Sequence, residues 1–479
     1  MTYRKTWFDY VLWAAYAGLC VTLLAFTGYH LYAYYVGLPL AKLGAFLVFP
    51  VLVCAYLALR LSCQAIRRKY DFSVHGAVML ETLVVSTAFV FGLLMRIGRV
   101  LHMPEELAAG GFYERALIRA GQSAAPLTHG VSDLYVRCLS GVFAFLGNSL
   151  AAAVLFQVFL QIVAMALGFC VVKKAAGRLP ACISLLCLTF SGAFLKKITV
   201  IDPECLFLVL YLAGLFLTVS FLKAVLRGQS AAVSVLLAVF TGAALGVLIY
   251  LELWAATLLF FLAGLFTGKC QAPDGRKRCI TAFFAAIASC VAGFFSAAAA
   301  DGAMSGTGFA GCLSGWFSLY AGRGLQGRLF GVIDGQYAFW AALFVMAAFL
   351  VFEFVRGEKE QDYTLWIFPC ILSAVLMLTD FGGTGSGSVS LFLFSVMAGL
   401  GIRNCAGGGQ VEKVRAKIEK INETAKEPEV LKEEKTRFIE NPLPLPKKHV
   451  KREMDYDFDV AESDMHYQID IPEGDDFDF

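Results

Sequence analysis

Charged residues are scarce in this sequence, and most of the chain up to Cys405 consists of long hydrophobic runs. Charged residues make up 16% of the 479 residues, hydrophobic residues 58% and aromatic residues 14%. A soluble domain is about 45–50% apolar, so this composition excludes an ordinary soluble protein and indicates a polytopic helical membrane protein. The net charge of +3 gives no sign of a nucleic-acid partner, and none is predicted.

Metal-ligand spacings are also absent from the sequence. The 14 cysteines show no zinc-type spacing, and most fall inside apolar runs, where they act as small hydrophobic residues. No metal site is therefore predicted, and the participation of a divalent metal is left open. The first apolar run follows Arg4 and Lys5 and is not followed by a small-x-small cleavage site. That run is predicted to be a retained helix, not a removed signal peptide.

About twelve membrane spans are predicted when a span needs ~20 residues to cross a ~30 Å hydrocarbon core. They cover approximately residues 7–28, 43–62, 77–98, 149–171, 179–198, 204–226, 231–249, 251–267, 279–299, 337–356, 364–380 and 389–403. Four regions follow from this division. They are residues 1–76 with two N-terminal spans, 77–268 with a membrane core, 269–403 with the C-terminal spans, and the charged tail 404–479.

Basic residues are concentrated in alternate connections between these spans. They are Arg4, Lys5, Arg67, Arg68, Lys69, Lys173, Lys174, Arg178, Lys223, Arg227, Arg276, Lys277, Arg278, Arg356 and Lys359. The positive-inside rule makes their side of the membrane cytoplasmic. The chain is then a multi-pass plasma-membrane protein with both termini in the cytoplasm. The loops that face outward are 29–42, 99–148, 199–203, 300–336 and 381–388.

The most polar outer segment is the loop 98–135, which contains the adjacent carboxylates Glu105 and Glu106. A bilayer tolerates such a loop only outside its hydrocarbon core. The run that follows, residues 134–146, is apolar but too short to span, which predicts either an amphipathic helix lying in the outer interface or a half-buried hairpin. The loop 300–336 is rich in glycine and aromatic residues. It is interpreted either as a substrate lid or as a flexible connector with interfacial aromatics.

The tail differs in composition from the membrane part. Residues 410–435 are rich in Lys, Glu and Ala and are consistent with a short exposed helix. From residue 454 onward the chain is acidic with interspersed aromatics, a composition that cannot bury a core and is typical of disorder. Residues 454–479 are either a docking segment for a cytoplasmic protein partner or a solvated tail without a partner.

Residues 77–268 contain one characteristic series of features. An outer loop carries an acidic pair and a Tyr-Ala stretch, and an interfacial helix, a span ending in basic residues and a second acidic site follow. The residues concerned are Glu105, Glu106, Tyr113, Ala116, His129, Asp133, Lys173, Lys174, Arg178, Asp202 and Glu204. This order resembles the GT-C superfamily of membrane glycosyltransferases, which includes protein O-mannosyltransferases and aminoarabinose transferases. The chain departs from that pattern in having Glu105 and Glu106 where the family has Asp.

The resemblance implies transfer of a sugar from a polyprenyl-phosphate donor to an extracytoplasmic acceptor, such as a cell-envelope glycan, lipid or protein. Such a reaction needs a carboxylate base for the acceptor hydroxyl and cations that stabilise charge building on the phosphate. The candidates for the base are Glu105 and Glu106, with Asp202 as a second, orienting carboxylate. The candidates for holding the phosphate are Arg99, Arg115, Arg119, Lys196 and Lys197, with His102 and His129 as supporting donors.

Each candidate also has a simpler interpretation. The loop acids can be solvated, Asp202 before Pro203 is a good helix start, and Lys196 and Lys197 can extend to lipid head groups. For the whole protein, the alternatives are a catalytically inactive membrane scaffold of the same fold and a transporter or flippase. A transporter generally places charges near the membrane midplane and shows internal repeats, neither of which is found. Gly242 and Gly246 form a small-xxx-small pair that predicts close helix packing.

Overall fold

The computed structural model describes residues 7–34, 50–55, 57–58, 61–62, 74–101, 111–121, 130–262, 264–267, 274–321, 337–356, 367, 371 and 386–407. Within these ranges regular structure is helical and no strand occurs. Several sequence predictions lie outside the described residues. They concern half of the span 43–62, most of the span 364–380, the loop residues 322–336 and the tail from residue 408 onward.

Fifteen α-helices are defined among the described segments, together with a short 3₁₀ helix Leu253–Ala256. In chain order they are α1 Trp7–Tyr34, α2 Val74–Leu101, α3 Gly111–Ala120, α4 Val131–Leu146, α5 Leu150–Ala176, α6 Arg178–Phe190, α7 Gly192–Lys196, α8 Glu204–Leu226, α9 Ala231–Leu251, α10 Thr257–Phe261, α11 Gly264–Thr267, α12 Gly275–Ser305, α13 Gly308–Ala321, α14 Tyr337–Arg356 and α15 Ser386–Gly407. Six of these are long and apolar enough to cross a membrane, namely α1, α2, α5, α8, α9 and α12. The chain is an all-α polytopic membrane protein, as its composition predicted.

Helices α9 and α12 run parallel and pack closely along their length. The Arg278 Nη1 donates to the carbonyl oxygen of Gln229 at 3.0 Å near the start of both helices, and the Tyr250 hydroxyl donates to Asp301 Oδ2 at 2.7 Å near their ends. A Cβ added at Gly246 would lie 2.0 Å from the carbonyl oxygen of Cys290. The close packing predicted from the small-residue pair is therefore present, and α12 is its partner.

A parallel pair requires the chain to return between the two helices, and the returning segment is broken. Residues 251–267 were predicted to be one continuous span, but a 3₁₀ turn follows Glu252, and α10 and α11 are short helices of five and four residues. The predicted span 179–198 is likewise divided, since α6 ends before Ser191 and α7 begins after it. The predicted loop 300–336 is helical through residue 321, because α12 extends to Ser305 and α13 follows.

Ion pairs of the described residues are gathered at the two ends of this bundle. At one end, Glu81 accepts a hydrogen bond from Lys173 at 2.6 Å and lies 3.5 Å from Arg178, and Arg403 donates to the carbonyl oxygen of Ala176 at 3.1 Å. These basic residues belong to the end that the charge pattern predicts to be cytoplasmic. The starts of α4, α8 and α15 and the end of α12 meet at the opposite end, where the candidate site lies.

Helix α4 begins the approach to that end. It is 16 residues long, too short to span, and one face is buried while Phe145 on the other face is 91% exposed. This agrees with the amphipathic helix predicted over residues 134–146. Gly130, before α4, has a positive φ of 77°, and an added Cβ there would lie 2.5 Å from the carbonyl oxygen of Leu251. The start of α4 is thereby held against the end of α9.

Candidate functional site

The candidate site is built on the segment that connects α6 to α8. Its first turn is fixed by Ser191, whose Oγ accepts a hydrogen bond from the backbone N–H of Phe194 at 3.4 Å. Its last turn is fixed by Asp202, whose Oδ1 accepts from the backbone N–H of Glu204 at 3.1 Å. Asp202 therefore performs the helix-start role that its position before Pro203 predicted. The segment between these two turns carries Lys196 and Lys197.

Lys197 lies between two carboxylates. Its Nζ is 3.0 Å from Asp202 Oδ2 and 2.5 Å from Glu204 Oε2. The exposed fraction of the side chain is 33% for Lys197, 17% for Asp202 and 11% for Glu204. The three side chains therefore form a partly buried cluster in which a single ammonium group balances two acids.

Glu204 also connects the cluster to the C-terminal helix. Its Oε1 accepts hydrogen bonds from the backbone N–H of Ser388 at 2.9 Å and from the Ser388 hydroxyl at 2.6 Å. Ser388 is in the first turn of α15, where backbone N–H groups lack partners within the helix. Glu204 thus caps α15 while it holds Lys197 with its other oxygen.

The surroundings change the proton affinity of both members of the pair. Burial raises the pKa of Asp202 to about 6, with Glu204 acting in the same direction and Lys197 in the opposite one. For Lys197, burial acts to lower the pKa, but Glu204 and Asp202 outweigh it, so its pKa lies above the ordinary value. Asp202 is consequently a carboxylate that titrates close to neutrality, while Lys197 stays protonated.

Two buried glutamines on α5 donate hydrogen bonds to the backbone of the segment between α6 and α8. Gln157 Nε2 donates to the Asp202 carbonyl oxygen at 2.8 Å and to the Tyr135 hydroxyl at 2.8 Å. One helical turn later, Gln161 Nε2 donates to the carbonyl oxygen of Phe194 at 2.6 Å. The Oε1 of Gln161 accepts from Nε of the fully buried Arg96 at 2.9 Å.

A second charged cluster lies at the same end of the bundle. Asp133 on α4 is paired with Arg137 and, at 3.4 Å, with Arg119. Arg137 also lies 3.9 Å from Asp301, which accepts the Tyr250 hydrogen bond described above. Each acid in this cluster has a cationic or hydroxyl partner, and the cluster joins α3, α4, α9 and α12.

The predicted site residues divide into three groups. Asp202 and Lys197 are in direct contact, and Lys196 is an exposed neighbour. Arg119 pairs with Asp133 and Arg115 lies 5.6 Å from the ring of Phe112, while Arg99 is exposed at the end of α2. Glu105, Glu106, His102 and His129 lie outside the described residues. The meeting of the loop acids with Asp202 stays a prediction.

Sequence reasoning missed several residues of this site. The sequence places Glu204 in the second acidic site but assigns it no chemical role, and Ser388, Gln157, Gln161 and Arg96 are not among its candidates. The two glutamines had a usable signal, because they stand one turn apart in an otherwise apolar helix and amides in a membrane interior need partners. Ser388 had no such signal, since its contact spans 184 positions of the chain.

The arrangement can hold and transfer a proton at Asp202. Among the described residues, no group of three or more His, Cys, Asp or Glu side chains is placed to hold a metal ion. The cation within the cluster is the Lys197 ammonium, which lies between Asp202 and Glu204.

No protein-family model matches the chain, and no curated protein matches it. Solved structures similar to it include the oligosaccharyltransferase AglB of Archaeoglobus fulgidus with an inhibitory peptide and dolichol-phosphate, at 11% identity over 82% of this chain and 54% of that one, with a TM-score of 0.48. An oligosaccharyltransferase of Archaeoglobus fulgidus in complex with zinc and sulfate matches at 12% identity over 67% of this chain and 48% of that one, with a TM-score of 0.43. ArnT of Cupriavidus metallidurans bound to undecaprenyl phosphate matches at 13% identity over 69% and 60%, with a TM-score of 0.45.

The chain spans about half to three fifths of the length of these solved structures. Structural similarity at this level of identity and TM-score does not show an activity. The function is therefore inferred from the chain's own residues.

Proposed function

We propose that this chain is an integral membrane glycosyltransferase of the GT-C type. It moves a sugar from a polyprenyl-phosphate donor to an acceptor outside the cytoplasm, and its catalytic core lies within residues 77–268. The observation that carries the proposal is the cluster of Lys197, Asp202 and Glu204 at one end of a membrane helix bundle. A partly buried carboxylate with a raised pKa is the group that general-base catalysis requires.

Asp202 is the base in this proposal. Its carboxylate accepts the proton of the acceptor hydroxyl while that oxygen forms a bond to the anomeric carbon of the sugar. The bond between the anomeric carbon and the phosphate oxygen breaks, and its electron pair leaves with the polyprenyl phosphate. Because the pKa of Asp202 is about 6, the carboxylate is mostly ionised at neutral pH and still basic enough to take up a proton.

Charge that builds on the leaving phosphate needs a cation nearby. Lys196 suits this task, since its side chain is exposed beside the cluster. Lys197 is engaged by two carboxylates, and we assign it the task of holding Asp202. Arg99, Arg115, His102 and His129 are further candidates for the phosphate, whereas Arg119 is paired with Asp133.

The outer loop supplies the remaining acids in the proposal. Glu105 or Glu106 shares the base role with Asp202 or orients the acceptor, which requires the loop 98–135 to reach the end of α8. The position of α4 supports this, since Tyr135 at the end of that loop is linked to Asp202 through Gln157. Both termini, and therefore the tail 404–479, are on the cytoplasmic side in this arrangement.

The test is a pair of variants in matched carboxylates. We expect Asp202→Asn to lower transfer by roughly 10²–10⁴-fold, the usual contribution of a general base. Asp301→Asn is the control, because Asp301 is a partly buried acid at the same end of the bundle but outside the cluster. Transfer is measured in membranes supplied with radiolabelled polyprenyl-phosphate mannose, glucose or arabinose, with protein levels compared by immunoblot.

Unchanged transfer in the Asp202→Asn variant would contradict the proposal. If no donor is used by the unaltered protein while residues 454–479 retain a cytoplasmic protein, the alternative of an inactive scaffold on the same fold is favoured. Uptake of an unmodified lipid or solute into vesicles would favour a transporter or flippase.

A further inference from the structure

We propose that Gln157 and Gln161 form a two-point clamp that positions Lys197 and Asp202 from within the membrane part of the bundle. Gln161 forms a hydrogen bond near the start of the segment 192–203 and Gln157 forms one near its end, and we call these contacts the first and the second grip. The lysines of the site lie between them. The catalytic consequence rests on the proposed function, whereas the structural consequence does not.

The first grip is at Phe194. Gln161 Nε2 donates to the Phe194 carbonyl oxygen at 2.6 Å, and both residues are buried. The orientation of the Gln161 amide is set by Arg96, whose Nε donates to Gln161 Oε1 at 2.9 Å. Since a guanidinium can donate but cannot accept, the amide NH₂ must face Phe194. Because Arg96 belongs to α2, its bond to Gln161 ties the first grip to that helix, and within α2 its Nη1 donates to the Gly92 carbonyl oxygen at 2.9 Å.

The second grip is at the other end of the segment. Gln157 Nε2 lies 2.8 Å from the Asp202 carbonyl oxygen and 3.4 Å from that of Val200. It also lies 2.8 Å from the Tyr135 hydroxyl on α4. One side-chain nitrogen thus joins α4, α5 and the backbone of the residue that we assign as base.

Each glutamine contributes its amide NH₂ group to the clamp, because only that side of the amide can donate a hydrogen bond. Gln157 Oε1 is buried and has no hydrogen-bond partner among the described residues, which is unfavourable for the fold. The Phe194 carbonyl oxygen also accepts from the Lys197 backbone N–H at 3.3 Å, so Gln161 adds a second donor there, while Gln157 supplies a donor to the partly buried Asp202 carbonyl oxygen. Residues one turn apart on a helix lie on the same face, which places both grips on one line along α5.

The consequence is a fixed distance between the two ends of the segment. Lys197 Nζ reaches Asp202 Oδ2 at 3.0 Å because the backbone turns between them, and releasing either end changes that geometry. We therefore classify Gln157 and Gln161 as positioning residues, since neither touches the carboxylate oxygens of Asp202.

The experiment measures backbone exchange in the full-length protein in detergent. We expect Gln161→Met to speed amide hydrogen exchange at residues 195–199 by about tenfold, and Gln157→Met to do so at residues 199–204. Methionine keeps the length of the side chain and removes the donor. Leu155→Met is the matched control, because Leu155 lies on the exposed face of the same helix. The double variant Arg96→Met and Gln161→Met serves if Arg96 without its acceptor prevents folding.

Exchange in residues 192–204 that stays within about twofold of the parent in both variants would overturn the clamp. In a transfer assay, we expect kcat to fall about tenfold with KM almost unchanged, which is the signature of a misplaced base. A change in KM alone would overturn the positioning role. If the parent protein transfers no sugar but the exchange of the segment rises as expected, the clamp stands and the proposed function fails.

Discussion

Asp202 shows how one residue can serve the fold and the site together. Its backbone carbonyl accepts from Gln157, its Oδ1 caps the start of α8, and its Oδ2 receives Lys197. These contacts come from the segment that joins α6 to α8, from the start of α8 and from α5. The titration of Asp202 is therefore determined by groups that can be changed one at a time.

Two substitutions should move the titration of Asp202 in opposite directions. Glu204 raises the pKa of Asp202 and Lys197 lowers it. Because the base must be ionised, we expect transfer by the parent protein to decrease as the pH falls through about 6. The midpoint of this acidic limb should lie at lower pH in Glu204→Gln and at higher pH in Lys197→Met. The measurement is the pH dependence of kcat/KM, which reports the free enzyme.

Asp301→Asn serves as the control for that series and should leave the acidic limb in place. If both substitutions move the acidic limb in the same direction, the charges of Glu204 and Lys197 do not set its midpoint. The substitutions would then have acted through the shape of the site and not through its charge.

The contact between α9 and α12 was predicted in part from a sequence pattern. Gly242 and Gly246 indicated a close approach, and the structure places Ala286 and Cys290 of α12 against them. Gly293 on α12 completes the contact from the other side, since a Cβ there would lie 2.3 Å from the Ala243 carbonyl oxygen. The pattern predicted the closeness but could not identify the partner helix.

A larger side chain at this contact should destabilise the bundle. We expect Gly246→Ala to lower the free energy of unfolding by about 1–3 kcal/mol, since the new Cβ would displace backbone atoms of α12. Gly18→Ala is the control, because nothing lies within 4 Å of a Cβ added there in α1. Thermal unfolding in detergent, followed by tryptophan fluorescence, should show a decrease in Tm for the first variant alone. A Tm equal to that of the parent would mean that α9 and α12 are not packed as described.

The broken helices mark the limit of sequence reasoning at this scale. Hydropathy predicted a continuous span over residues 179–198, since the composition does not change at Ser191. The break depends on the Ser191 hydroxyl capping the next turn, and α7 then carries Phe194 to Gln161. Such contacts are invisible to a window that averages over ~20 residues.

In the part of the chain that the structure describes, the ion pairs lie at two ends of the bundle. Glu81 with Lys173 and Arg178 marks one end, and the cluster of Lys197, Asp202 and Glu204 marks the other. The proposed reaction requires the cluster of Lys197, Asp202 and Glu204 to face the outside, where a lipid-linked sugar and an extracytoplasmic acceptor meet.

Cysteine labelling at the two ends of α8 tests this orientation. We expect Val200→Cys to react with a membrane-impermeant maleimide in intact cells, and Gln229→Cys to react only after the membrane is made permeable, because Val200 and Gln229 are exposed beyond opposite ends of the helix. Labelling is compared with the parent protein, which accounts for its own cysteines. The reverse pattern would place Asp202 in the cytoplasm and remove the basis of the proposed reaction.

The sequence alone determined the class of protein, the all-helical membrane fold and the amphipathic helix before α5, and it named Asp202 and Lys197 as candidate site residues. These follow from local composition and spacing, because burial in lipid acts on every residue of a span and a helix start depends on its neighbours. Tertiary structure decided that Glu204 and Ser388 join the site, that α9 pairs with α12, and that Gln157 and Gln161 hold the segment between them. Those contacts unite residues far apart in the chain, where packing and hydrogen-bond geometry are set by the assembled bundle and not by any local pattern.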